Sequence, residues 1–219
     1  MPNDDSKLYD EDEFYDYADK AYDYLLTYVI KEFNKLKSKI MSFDEVNILG
    51  EVNATYDSLK RITYTKFMEL VSAQYEKYFL NDDATYEGIT EEWLYNLLIE
   101  VDEITKYSYS NELDRTRQRC FEGLVAATSV EVAVKSNIEE VINSSMKHYS
   151  RMLRQETITL ADESAIKAMV DEGDDRIKWI TQKDGHVCDK CQKRDGKTYP
   201  IDKIPSKPHR GCRCSLCPV

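Results

Sequence analysis

The sequence predicts a mainly α fold, with an elongated helical body and a small β-hairpin module at its C-terminal end. Three observations predict it. Charged residues make up 32% of the 219 positions, with only 7 Gly and 5 Pro, a mix that favours long helices with solvated faces over a many-turned β protein. Apolar residues recur at spacings of three and four through most of the chain. Past Gly173 that period gives way to short alternating segments, Asp-Gly pairs, prolines and cysteines. The expected organisation is an acidic, disordered arm over 1–12, a helical body over 13–173 and the small module over 174–219.

The arm lacks any apolar pattern. From Phe14 a first helix carries Ala18, Ala21, Leu25, Tyr28, Leu36 and Ile40 on one side. The stretch "MSFDEVNILGEV" breaks it, with Gly50 inside and Ser42 to Glu45 resembling a capping box. A second helix spans about Ala54 to Leu80, burying Tyr56, Leu59, Phe67, Leu70, Val71 and Tyr78. "NDDATYEGIT" reads as a loop, and Thr90 as the N-cap of a third helix over Glu91 to Tyr107. A fourth covers Asn111 to Ala127. The fifth, Val130 to Arg154, has the cleanest stripe: Val134, Ile138, Val141, Ser145, Tyr149 and Met152. A short sixth, Ala161 to Glu172, ends at Gly173 as a C-cap glycine requires. "RIKWIT" and "KTYPI" are then two short strands, with turn signals at Asp184-Gly185 and Asp195-Gly196.

Charge and hydropathy exclude some classes. A net charge of -11 makes the chain a poor generic partner for nucleic acid or an anionic membrane. The charge is uneven: residues 1–20 hold eight acids against Lys7 and Lys20, whereas 181–219 hold nine Lys and Arg against four Asp. No apolar run is long enough to span a bilayer. The polar start "MPNDDSKLYDEDEF" is unlike a secretory signal, so the expected compartment is a reducing cytoplasm. There, clustered cysteines point to metal rather than to disulfides.

Five of the six cysteines lie between Cys188 and Cys217. Cys188 and Cys191 have the C-x2-C spacing that lets two thiolates at a tight turn face one ion. His209, Cys212, Cys214 and Cys217 follow. A structural zinc ion takes four S or N donors from two such clusters. Two sets fit the spacing: Cys188, Cys191 and His209 with Cys212 or Cys214, or Cys188, Cys191, Cys214 and Cys217. A module with so little core would draw much of its folding free energy from that zinc. Catalytic zinc is not expected, because no H-E-x-x-H pair, serine elbow or phosphate loop accompanies the thiols. No catalytic residue is assigned. His148 reads as a helix-surface or packed histidine, and His186 as a poorly spaced neighbour of the cluster. Cys120 reads as a small buried residue. The basic stretches Arg115 to Arg119 and Lys147 to Arg154 read as polar helix faces.

The order of features across "KWITQKDGHVCDKCQKRDGKTYPIDKIPSKPHRGCRC" resembles the C-terminal signature of phage minor head proteins, the head-morphogenesis (Mu F-like) family. The elements are Trp179, Thr181, Asp184, Cys188, Cys191, Asp195, Gly196, Tyr199, Pro208, His209, Cys212, Arg213 and Cys214. The resemblance covers about residues 174–219. "RQET" from Arg154 matches the family's upstream stretch imperfectly, and Cys217 is extra to the pattern. The resemblance implies a structural virion component rather than an enzyme. Such a protein is made in the host cytoplasm and resides inside the phage head. Its partners would be the portal protein and the major capsid or scaffold protein, and it would act in head assembly and in DNA packaging or delivery. The cationic tail could also touch packaged double-stranded DNA. The competing reading is a zinc-ribbon regulator that binds nucleic acid.

Overall fold

The computed structural model describes residues 16–42, 47–78, 91–182, 185–209, 212 and 214–219. The 1–12 arm, the loop at 81–90 with its Thr90 cap, Glu45, Asp184 and Arg213 lie outside them. The chain is mainly helical, with a small antiparallel sheet near its C-terminal end. The helices are α1 (Asp16–Met41), α2 (Ile48–Tyr78), α3 (Glu91–Ala126), α4 (Val130–Ala133), α5 (Glu139–Glu172) and α6 (Asp189–Gln192). A π-helical turn, Val134–Ile138, joins α4 to α5. The strands are β1 (Arg176–Ile180), β2 (Thr198–Pro200) and β3 (Ser215–Pro218). No described helix is long and apolar enough to cross a membrane.

Three helix boundaries differ from the expectation. The third and fourth helices are one element, α3, because "SYSN" contains no glycine or proline and Ser and Asn are only mildly unfavourable inside a helix. The fifth and sixth likewise join as α5. Ser150 and Ser164 there return their hydroxyl protons to the carbonyls of Met146 and Leu160, at 2.8 and 2.6 Å, so their polar groups stay within the helix. Helix α2 begins earlier, at Ile48, and Gly50 sits inside it rather than breaking it. The cap is Asn47, whose Oδ1 accepts the Gly50 N–H at 3.0 Å. A Cβ on residue 50 would meet that Asn47 side chain at 2.8 Å, so a small residue suits the position.

The described residues fall into two compact units. One is drawn from Ala21–Glu69 and Glu87–Glu156, the other from Met1–Lys20, Leu70–Tyr86 and Thr157–Val219. The first is a helical unit with an aromatic centre. Phe33, Tyr56 and Tyr149 meet edge to face with ring centroids 5.7–6.3 Å apart. Leu25, Leu36, Leu59, Ile138, Ile142 and Leu153 are fully buried with them. The Tyr56 hydroxyl reaches Thr116 Oγ1 at 3.1 Å, and Thr116 reaches Ser145 Oγ at 2.7 Å, so these three buried hydroxyls pair with one another. Burial raises the Tyr56 phenol above its ordinary pKa.

The second unit holds the sheet. Its strand order is β2-β1-β3, antiparallel throughout, with β1 in the centre. Ile177 pairs with Tyr199, and Trp179 with Leu216. The expected two-stranded hairpin is therefore part of a three-stranded sheet. Strand β3 escaped the sequence reading because "SLCP" is short, contains a proline and lies among cysteines that read as ligands. Just before β1, α5 ends in the expected glycine cap: Gly173 adopts φ 88°, and the N–H groups of Gly173 and Asp174 reach Val170 O and Met169 O at 3.0 and 2.9 Å. In the same unit the Tyr75 hydroxyl donates to Asp171 Oδ2 at 2.6 Å.

Candidate metal centre

Local folding of residues 188–199 sets out one half of the centre. Cys188 precedes the single turn of α6, and the Gln192 N–H returns to its carbonyl at 3.0 Å. That turn carries Cys191 back beside Cys188. The backbone N–H groups of Cys191 and Lys190 donate to the Cys188 sulfur and hold its thiol below the usual range. Asp195 and Gly196 then lock the turn to β1. Asp195 Oδ1 accepts the Thr181 N–H at 2.8 Å. Gly196, at φ 71°, donates its N–H to Trp179 O, while Trp179 N–H donates to Lys197 O, both at 2.8 Å. Over these bonds Trp179 meets Tyr199 edge to face at 6.5 Å, and the Arg194 guanidinium lies 4.9 Å above its ring.

The other half comes from the segment leading into β3. The structure brings all five expected ligands together in two groups that share Cys191. Cys188, Cys191 and His209 form one, and Cys191, Cys212 and Cys214 the other, with donor atoms within 4.8 Å in each. Cys191 Sγ lies 3.5 Å from Cys212 Sγ and 4.0 Å from His209 Nε2. Cys191, Cys212 and Cys214 are buried, Cys188 is half-buried and His209 exposed, so the centre is closed toward the sheet and open at its rim. A hollow of about 40 Å³ is lined by these five residues with Gln182, His186 and Val187. Cys217 belongs to neither group. It sits in β3 opposite Lys178 and is buried.

The thiols cannot all ionise on their own at this separation. Burial pushes Cys191 up to about 12. A hydrogen bond from Cys214 draws Cys212 down to about 5, and the same contact, with burial, raises Cys214. A cation shared among the sulfurs removes that conflict. The donor set fits one: four thiols and an imidazole are the ligands of zinc and similar soft or borderline ions. Thiolates at tetrahedral zinc sit roughly 3.8 Å apart, near the observed sulfur separation. The cysteine and histidine cluster could thus hold a metal ion.

Other residues singled out by sequence fall elsewhere. His148 is exposed on α5, and His186 reaches the hollow without joining either group of donors. Cys120 is fully buried in α3, where desolvation lifts its thiol to about 11, as expected of a packing residue. Sequence reasoning missed the Lys207–Asp162 ion pair at 2.5 Å, which ties the segment before His209 to α5. Both side chains are largely buried there, and the Lys207 charge also favours the Cys212 thiolate. Nothing in the spacing of a lone lysine and a lone aspartate, 45 positions apart by number, announces such a pair. Comparison with protein-family models, with curated proteins and with solved structures returns no match for this chain.

Proposed function

We propose that the protein is a phage minor head protein, a structural virion component associated with the portal, whose C-terminal module is held by a structural zinc ion. The observation that carries the reading is the coherence of the signature residues. Trp179, Thr181, Asp195, Gly196 and Tyr199 are not scattered; each bonds or packs against another member within one small sheet. The five ligands of the same signature converge on one hollow beside it. A run of residues that reads as a family pattern thus corresponds to one structural unit, as a shared module requires.

Cys188, Cys191, His209, Cys212 and Cys214 would supply the four donors, with one of the five in reserve. The ion would act as a cross-link between the α6 turn and the segment entering β3. The chain's own groups do the rest: Asp195 fixes the turn, Lys207 and Asp162 tether the second ligand segment, and buried sulfurs face away from water. In this reading the protein is not an enzyme. Its tyrosine-rich helices make contacts in the head with portal and capsid or scaffold protein, and the cationic tail faces DNA or an acidic portal surface.

Fractionation of a lysate producing the phage tests the assignment. The protein should sediment with proheads and DNA-filled heads, co-purify with portal protein and carry about one zinc per chain by elemental analysis. A protein found free of every head intermediate overturns it. Retention on DNA that falls steeply with salt, without head association, would instead favour the nucleic-acid regulator.

A further inference from the structure

Trp179 is fully buried in the central strand, yet among the described residues its indole Nε1–H meets no partner at hydrogen-bonding geometry. A buried donor left in that state is costly and calls for an explanation. The strand register supplies one. Trp179 stands opposite Leu216, and Cys214 immediately precedes β3, two residues before Leu216, where strand alternation carried on by one residue makes it the diagonal neighbour on the same side. Aromatic side chains reach such diagonal neighbours. The ring is not free to turn elsewhere, because Tyr199 and Arg194 pack against it and two backbone bonds hold its strand to Gly196 and Lys197.

We propose that Trp179 is a positioning residue of the metal centre: its indole N–H donates to the Cys214 sulfur and fixes that thiolate as a ligand. The inference rests on the metal reading above. A neutral thiol is a weak acceptor, whereas a metal-bound thiolate accepts a hydrogen bond well. The orphaned donor is then matched to a sulfur that gains acceptor strength on metal binding, as outer partners do around other metal sites.

The full chain carrying Trp93→Phe retains a single indole, Trp179, and is loaded with 113Cd. The indole proton should move downfield on loading and show a coupling to cadmium through the N–H···S bond. In parallel, Trp179→Phe keeps the ring and removes the donor. Its zinc affinity should fall by about 10-fold or more, and the sulfur-to-metal charge-transfer band of its cobalt form should shift. In a Cys214→Ser background the same substitution should cost no further affinity. A loaded protein with no cadmium coupling to the indole, or a Trp179→Phe variant with unchanged affinity and cobalt spectrum, overturns the inference while leaving the metal reading standing. A wild-type chain that binds neither zinc, cadmium nor cobalt overturns both. The cadmium measurement needs no change at Trp179, so a misfolded Trp179→Phe variant does not protect the proposal.

Discussion

The helical unit and the C-terminal sheet solve the same problem with different materials. In the helical unit, Phe33, Tyr56 and Tyr149 close on one another and long apolar stripes surround them. Stability there is spread over many side chains and scales with buried area. The three strands of the module have few large apolar residues to share: Ile177, Trp179, Ile180 and Leu216. Sulfur and imidazole stand where more core would be needed. On the metal reading proposed above, the lesson concerns failure: a distributed core loses a side chain and persists, whereas a module held by a few donors would be lost with one of them.

Cys191 offers the sharpest way to break this contrast, since it belongs to both donor groups. Cys191→Ser, or removal of metal by a chelator, should reduce zinc affinity by more than about 100-fold and abolish the slow amide exchange of β1 and β3. Far-UV circular dichroism should keep its helical signal. Joint loss of helix and sheet would show that the two regions do not differ as described. Phe33→Ala should act in the opposite sense. It should cost roughly 3–5 kcal/mol in denaturant unfolding of the helices, with zinc stoichiometry unchanged.

Gly196→Ala is a smaller perturbation of the module. The position is sterically open but its φ is 71°, so the penalty is conformational, roughly 1–2 kcal/mol by chemical denaturation. Tyr56→Phe should have the least effect at neutral pH, about 1 kcal/mol for the lost hydrogen bond to Thr116. Its pH dependence carries more information. The folded Tyr56 holds its proton above the ordinary value of 10.0, so the unfolded chain binds fewer protons in that range. The stabilisation is complete below pH 10.0 and declines as pH rises past it toward the folded pKa. Tyr56→Phe should therefore lose stability less steeply than the wild type at alkaline pH, as followed by thermal melts.

Much of the helical periodicity was legible. The stripe of Ala18, Ala21, Leu25, Leu36 and Ile40 is buried as the period requires, and so are Val134, Ile138, Val141, Ser145 and Tyr149. The errors are local: Tyr28 and Met152 are only half-buried, while Val29, Phe33 and Leu153 turn fully inward. Period alone cannot choose between neighbours one position apart on a wide stripe. Helix ends were harder, because Asn47 and the joined α3 and α5 depend on surroundings that propensity does not record. Spacing pointed to the cysteine and histidine cluster as a whole, but it allowed a set with Cys217 equally well, and Cys217 lies in neither group of donors. The third strand could not be picked out, because its pairing is with a segment 35 or more positions away and its few residues carry no period. Cys217, unexplained as a ligand, makes sense as a member of that strand, opposite Lys178.

The π turn at Val134–Ile138 makes this part of the chain sensitive to counting. The Glu139 N–H reaches back to the Val134 carbonyl, which encloses one more residue than an α turn does. One residue is about 100° of rotation around a helix. Ala133 before the turn, Val134 at its start, and Val141 and Ile142 after it are all buried on this spacing, and Gly123 of α3 comes close to the turn at Asn137 and Ile138. Deleting Asn137 would let the ladder revert to α and swing Ala133 and Val134 away from the interior, bringing neighbours such as the exposed Val132 toward it. Replacing Asn137 by another helix former would leave the phase intact. At the exposed Asn137, therefore, the presence of a residue constrains the chain more tightly than its identity, and deletion there should register a loss of stability that substitution there passes over.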